Sequence, residues 1–122
     1  RKVDNVATNN APTGGFGPMR RSVDDPNLDA ILDSNYGNVS INGARVGNGG
    51  TADALRYENA TGELLSPSGH RQKAIELRTR LQTYVRRATN SPNPNSVGTT
   101  FTQRDIDYAN ELIRDLDNAI GN

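Results

Sequence analysis

Apolar residues recur at helical spacing in the second half of the chain. After Ser68, one stripe at 100° per residue predicts an amphipathic helix of about five turns ending near Asn90, formed by Ala74, Leu77, Leu81, Tyr84 and Val85. After Thr102, a second stripe continues almost to Gly121, formed by Ile106, Ala109, Leu112, Ile113, Leu116 and Ile120. Because only a short SPNPNS break separates them, the two helices should pack as an antiparallel hairpin.

Shorter helices are predicted before this pair. Asp25 followed by Pro26 is typical of a helix start, and the apolar residues after it predict a short helix ending near Ser34. Thr51 is placed to cap a second helix of two to three turns, which stops at Gly62 because glycine favours the left-handed conformation of a helix end. At the start of the C-terminal helix, Thr102-Gln103-Arg104-Asp105 resembles a capping box with Asp in place of Glu.

The segment between these helices carries weaker signals of strand and turn. Alternating Val39 and Ile41, the turn pair Asn42-Gly43 and the following Val46 predict a small hairpin. The glycine-rich GNGG at 47–50 lacks the strand, the lysine and the spacing of a phosphate-binding P-loop, so we interpret it as a hinge or turn.

These patterns predict a mainly α fold, a compact helical domain with a C-terminal antiparallel helix hairpin and a small β element. An α+β fold of the ribonuclease-toxin type is the alternative. Residues 1–21 show neither helical nor strand periodicity, and their Asn, Thr, Gly and Pro content indicates a linker or a loosely held arm. The folded domain is therefore expected over residues 22–122.

Composition narrows the classes of protein. Only 33% of the 122 residues are apolar, and no stretch approaches the roughly 20 consecutive apolar residues that cross a bilayer, so no membrane span is expected. The absence of cysteine excludes disulfides, thiolate zinc sites and cysteine nucleophiles. Because Arg1 opens the chain without a methionine or a signal-peptide pattern, we expect a piece of a longer polypeptide.

Charge is balanced overall but divided along the chain. Fourteen Lys and Arg residues match fourteen Asp and Glu residues, yet residues 43–90 carry a net charge of +4 and residues 91–122 a net charge of −3. A basic middle segment attracts a polyanion when the acidic segment lies on another face.

His70 is the only histidine and the one side chain whose ordinary pKa suits proton transfer near neutral pH. It is expected in the first helical turn after Ser68, where backbone N–H groups bind anions and disfavour an imidazolium. A neutral imidazole in such a place is typical of a general base. A packed or capping histidine is the equally weighted alternative.

The helix that follows His70 carries two basic rows. Lys73, Arg80 and Arg87 recur every seven residues along one flank of the apolar stripe, and Arg71 and Arg78 lie along the other. Within residues 68–90 only Glu76 offsets these cations, which favours a nucleic-acid backbone over an ordinary solvated helix face.

Two residues of the preceding helix extend this candidate site. Arg56 could clamp a transition state and Tyr57 could stack on a base or donate a hydrogen bond, although a surface arginine and a half-buried tyrosine are the simpler interpretations. The acidic group Asp24, Asp25, Asp29 and Asp33 invites a metal site, but the i, i+4 spacing within it favours a solvated helix face.

The run GNGGTADALRYENATGELLSPSGHRQKAIELRTRLQTY and the closing helix DIDYANELIRDLDNAIGN resemble the terminal toxin domains of CdiA-type contact-dependent inhibition proteins and Rhs-type polymorphic toxins. The pieces that carry the resemblance are Gly50 to Arg56 and His70 to Lys73, and it covers residues 47–122. It implies a nuclease, often a tRNA nuclease, at the tip of a secreted or cell-surface protein that acts in the cytoplasm of a target bacterium. It also implies a cognate immunity protein, which we expect to be acidic.

The chemistry expected from these residues is that of a ribonuclease that needs neither a metal nor a cofactor. His70 is the candidate base, and Lys73, Arg56 and Tyr57 complete the catalytic set. Substrate binding is assigned to Arg71, Arg78, Arg80 and Thr51. The alternatives are a toxin of another class, such as a DNase or an ADP-ribosyltransferase, and a non-enzymatic helical binding module.

Overall fold

The structure, a computed structural model, describes residues 17–37, 40–41, 44–90 and 101–121 of the chain. Its helices are α1 (Pro26–Asn35), α2 (Thr51–Thr61), α3 (Arg71–Thr89) and α4 (Gln103–Ile120). The strands β1 (Ser40–Ile41) and β2 (Ala44–Arg45) form an antiparallel pair in which Ser40 faces Arg45 and Ile41 faces Ala44. The mainly α fold is therefore confirmed, and this pair is the only sheet within the described ranges.

The α3–α4 pair is the largest helix contact and runs antiparallel. At one end, the Arg71 guanidinium at the start of α3 donates to the Ile120 carbonyl at the end of α4, at 3.0 Å. At the other end, the ring of Tyr84 meets that of Phe101, which precedes α4, with centroids 5.8 Å apart. The predicted helix pair is thereby confirmed, while its connection, residues 91–100, lies outside the described residues.

Apolar side chains of all four helices meet in one core. Its buried members include Leu28 and Leu32 of α1, Leu55 of α2, Leu77, Leu81 and Tyr84 of α3, and Tyr108, Leu112 and Leu116 of α4. Burying a leucine of this kind contributes roughly 1.5–3 kcal/mol. Among the described helices, none combines the length and the apolar character needed to cross a membrane.

Two of the three predicted helix caps, Asp25 and Thr102, are confirmed. The Asp25 carboxylate accepts from the N–H of Asn27 at 2.9 Å, and the Thr102 hydroxyl accepts from the N–H of Asp105 at 3.3 Å. The cap of α2 is Gly50, and not Thr51 as predicted. Thr51 is instead the first helical residue, and its buried hydroxyl donates to the Asn35 carbonyl at 3.2 Å.

Asp105 makes contacts that a capping box does not describe. Its buried carboxylate accepts from the N–H groups of Asp24 and Asp25 at 2.9–3.1 Å, so it links the start of α4 to the start of α1. Asp25 is itself 1% exposed, and its expected place on a solvated face is therefore wrong. Asp29 and Asp33 do lie on the exposed side of α1, where both pair with Arg20.

The GNGG segment is a turn stabilised by α2. Gly47 and Gly49 have φ values of 56° and 78°, which disfavour other residues. Asn48 donates its N–H to Asp53 at 2.9 Å, and its side-chain oxygen accepts from the N–H of Gly50 at 2.7 Å. The turn is therefore held by the Asp53 side chain of α2 and by the side chain of its own Asn48.

Residues 17–21, here termed the N-terminal strap, lie along the helices. The N–H of Gly17 donates to Asp53 at 3.1 Å, the Pro18 carbonyl accepts from the Tyr36 hydroxyl at 2.6 Å, and the Met19 carbonyl accepts from the Tyr108 hydroxyl at 2.9 Å. The rest of the expected arm, residues 1–16, lies outside the described residues. The domain division at residue 21 stays a prediction.

We predict that Asp105→Ala lowers the free energy of unfolding by about 1–3 kcal/mol, because it leaves buried N–H groups at the start of α1 without an acceptor. Urea denaturation measures the change. Asp107→Ala is the matched control, since Asp107 is exposed and, among the described residues, its carboxylate accepts a hydrogen bond only from the Gln103 side chain on the same helix. Equal losses in the two variants would contradict the proposed link.

Candidate functional site

His70 and Glu58 form a buried pair where the loop after α2 meets α3. His70 is the N-cap of α3 rather than a first-turn residue, and it is 8% exposed. Its ring Nδ1 lies 2.7 Å from Glu58 Oε2, and its backbone N–H donates to Glu58 Oε1 at 2.8 Å. The start of α3, where an external anion was expected to bind, therefore holds the carboxylate of Glu58.

The loop between α2 and α3 brings the two residues together. α2 ends at Gly62, whose φ of 78° reverses the chain, and Gly69 with a φ of 72° turns it again just before His70. Between them the N–H of Leu65 donates to Glu58 Oε2 at 2.9 Å. The loop is thus arranged around the Glu58 side chain of α2. The same carboxylate also orients the imidazole of His70.

The second ring nitrogen of His70 is left available. Nε2 forms no hydrogen bond with the described residues, and it is not among their fully buried polar atoms without a partner. A carboxylate at Nδ1 fixes the orientation of the ring and leaves Nε2 as its second nitrogen, which is the arrangement of a histidine base in acid–base catalysis.

Glu58 stays ionised in this environment. Burial by itself would raise the pKa of Glu58, but the hydrogen bonds from the His70 ring and from the N–H groups of Leu65 and His70 lower it below the ordinary value. Glu58 was not among the predicted site residues. The only signal for it was its position directly after Arg56 and Tyr57 in the motif that carries the toxin resemblance.

Arg56 is directed away from His70 and towards α4. Its guanidinium pairs with Asp53 at 2.7 Å and with Asp115, and it also donates to the Asn118 side chain. Only 12% of the Arg56 side chain is exposed. Since two carboxylates already neutralise it, this geometry supports a structural link between α2 and α4 and not the expected clamp on a substrate.

Tyr57 and Lys73, the other expected catalytic residues, are not hydrogen-bonded to the His70 pair within the described chain. Burial and the neighbouring Glu63 raise the pKa of the Tyr57 hydroxyl, which keeps it protonated. Lys73 is exposed on α3, whereas Thr51 is 1% exposed and lies inside the fold, where it does not face a substrate.

The structure separates the two rows of cations on α3. Arg71 donates to the Ile120 carbonyl and Arg78 pairs with Asp117 at 2.7 Å, so this row contacts α4. The other row, Lys73, Arg80 and Arg87, is here termed the α3 basic row. None of its members has an ion pair among the described residues, and Arg80 makes only a 3.3 Å contact with the Ser34 hydroxyl.

Arg80 and Arg87 of the α3 basic row line a groove between α1 and α3, here termed the α1–α3 groove, with a volume of about 670 Å³. Its lining includes Asn27 and Ile31 of α1, Arg80, Tyr84 and Arg87 of α3, and Phe101. The Tyr84 hydroxyl is buried below the groove, and burial together with the Asp25 and Asp105 carboxylates raises its pKa. The groove therefore places the partly exposed Phe101 ring beside two guanidinium groups that form no ion pair among the described residues.

The acidic residues of the described chain were considered as ligands for a metal ion. In the part of the chain that the structure describes, no three His, Asp or Glu side chains are grouped so that they could hold a metal ion. The carboxylates that lie inside the fold accept backbone N–H groups or pair with Arg56.

No protein-family model, no curated protein sequence and no solved structure matches this chain. The resemblance to CdiA-type and Rhs-type toxin domains therefore stays a prediction based on the motifs of residues 47–122.

We predict that Glu58→Gln weakens the dependence of the free energy of unfolding on pH below neutral pH. Because its pKa is lowered in the folded state, Glu58 contributes stability that is complete above its unfolded pKa of about 4.5 and is lost as the pH falls through the lower folded value. Urea denaturation from pH 7 to pH 3 should therefore show a shallower decline for the variant than for the wild type.

Glu76→Gln is the control for this measurement, because Glu76 is an exposed residue of α3 that contacts only Gln72 among the described residues. Parallel profiles for the wild type and Glu58→Gln would contradict the pairing of Glu58 with His70.

Proposed function

We propose that this chain is a metal-independent ribonuclease, with tRNA as the expected substrate, and that it forms the toxin tip of a larger secreted or cell-surface bacterial protein. The observation that carries the proposal is the α3 basic row, which begins three residues after His70 and has no carboxylate partner in the described chain. The motif resemblance points in the same direction.

The α3 basic row suits an extended polyanion. From Lys73 to Arg87 it spans 14 residues, which is about 21 Å at the helical rise of 1.5 Å per residue. Free cations at this spacing release counterions when phosphates bind, whereas a cation already paired with a carboxylate contributes little. The proposed RNA path therefore follows Lys73, Arg80 and Arg87 rather than Arg78.

The proposed reaction places His70 at the start of this path. Nε2 takes the proton of a ribose 2′-hydroxyl, the 2′-oxygen attacks the adjacent phosphorus, and the bond to the 5′-oxygen breaks. Glu58 holds the ring and stabilises the imidazolium that forms. Lys73 is the exposed acid proposed to protonate the leaving 5′-oxygen, and Tyr57 is the alternative. Cations of the row, in place of Arg56, stabilise the charge on the phosphorane.

A toxin of this kind has to be silenced in the cell that makes it. On this proposal the silencing partner is an acidic immunity protein whose carboxylates cover the α3 basic row and the His70 pair. It would compete with RNA, and it would associate faster at low salt because the attraction is electrostatic.

We predict that His70→Gln lowers RNA cleavage about 10²–10⁴-fold, because glutamine retains an N–H donor for Glu58 but cannot exchange a proton. Electrophoresis of total tRNA in the presence of EDTA measures the cleavage, and thermal unfolding by circular dichroism verifies the fold. Gln72→Ala is the matched control, an exposed neighbour on α3 that should keep the wild-type rate.

A folded His70→Gln variant with the wild-type rate would contradict the assignment of His70. Wild-type protein that binds RNA without cleaving it would favour the non-enzymatic binding module instead.

We predict that Lys73→Ala reduces the slope of log affinity against log salt by about 0.7, which corresponds to one lost phosphate contact on single-stranded RNA. The measurement uses fluorescence anisotropy in the His70→Gln background, so that the RNA stays intact. Arg78→Ala serves as the comparison, because Asp117 already neutralises Arg78 and the slope should change less. A larger change for Arg78→Ala would place the RNA on the other flank of α3.

A further inference from the structure

We propose that the α1–α3 groove is a nucleotide subsite: it holds one unstacked base of the RNA, together with its flanking phosphates, at a distance from the cleaved bond. This inference rests on the proposed ribonuclease function and adds to it a place where substrate is selected.

The size and surface of the groove suit a base. Its volume of about 670 Å³ lies within the range of small-molecule sites, roughly 300–1,000 Å³. Phe101 is the partly exposed ring that lines the groove, and its edge-to-face contact with the buried Tyr84 ring, at an interplanar angle of 68°, holds it in place. A base that leaves its stack gains contact with this ring, which is the usual way in which single-stranded RNA is held.

The charge of the groove specifies an anionic ligand. Arg80 and Arg87 line it without an ion pair among the described residues. The exposed carboxylates of the neighbouring helix α1, Asp29 and Asp33, are both engaged by Arg20 of the N-terminal strap. Guanidinium groups bind carboxylate and phosphate alike in a planar fork, but they also stack on aromatic faces, and this stacking favours a nucleotide over an acidic peptide.

The rim also carries groups that can contact a base edge. Asn27 is exposed at the start of α1, and its side-chain amide forms no hydrogen bond with the described residues. An amide offers both a donor and an acceptor, and Thr83 adds a hydroxyl on the α3 side. The groove therefore combines stacking, phosphate and edge contacts in one place.

Helix α3 determines how far the subsite lies from the His70 pair. Arg80 and Arg87 follow His70 by 10 and 17 residues, or about 15 and 25 Å along the helix axis. Nucleotides stacked in a helix are about 3.4 Å apart along its axis and an unstacked strand covers more length per nucleotide, so the held base lies at most about four to seven nucleotides from the cleaved phosphate. The subsite accordingly selects among RNAs by the base at that distance.

The test uses single-stranded RNA dodecamers with the fluorescent base 2-aminopurine at successive positions, in the His70→Gln background. We expect a large fluorescence change at one position only. The double variant Arg80→Ala, Arg87→Ala should remove that change and weaken affinity about tenfold or more, as expected when hydrogen bonds between charged groups are lost. Arg86→Ala is the matched control, an exposed arginine of α3 outside the groove that should retain both signals.

Two outcomes would overturn the subsite. Equal affinities for the double variant and Arg86→Ala would place the RNA elsewhere while leaving cleavage by His70 intact. Full affinity for a dodecamer that is abasic at the responsive position would reduce the groove to a phosphate contact. Wild-type protein that neither binds nor cleaves RNA would instead remove the proposed function itself.

Discussion

Buried carboxylates that accept backbone N–H groups are the interaction on which the rest of this structure depends. Asp105 joins the start of α4 to the start of α1, Asp53 fastens the N-terminal strap and the glycine turn to α2, and Glu58 shapes the loop before α3. A chain with 33% apolar residues and no cysteine has a small core, so links between its elements matter more than in a larger domain. Each link is strong because the acceptor is charged and enclosed.

Ion pairs also separate the basic residues into two groups: some link helices to one another, and the others stay open to a ligand. The Arg56 guanidinium pairs with Asp53 and Asp115, and the Arg78 guanidinium pairs with Asp117. The pairs with Asp115 and Asp117 join α2 and α3 to the acidic helix α4. Lys73, Arg80 and Arg87 on the other flank of α3 form no ion pair with any described carboxylate. An overall neutral chain thereby presents a locally basic surface, and the proposed RNA path and nucleotide subsite both follow from this separation.

Only part of the arrangement around His70 could be predicted from the sequence, and the reasons differ from residue to residue. His70 was singled out because it is the only histidine, yet its partner Glu58 lies 12 residues earlier and meets it only through a loop with two left-handed glycines. Arg56 was expected at the site because nothing local indicates its pairing with Asp115, 59 residues further on. Thr51 was expected to be accessible, but the contact of α2 with the end of α1 encloses it.

The sequence by itself determined the helices, the caps at Asp25 and Thr102, the helix end at Gly62 and the antiparallel pairing of α3 with α4. These features depend on periodicity and on residues within one turn of each other, which a single chain segment displays. Only the tertiary structure decided which carboxylates are buried, which arginines they neutralise and where the α1–α3 groove opens. Those outcomes depend on distances between segments far apart in the chain, and neither spacing nor composition encodes such distances locally.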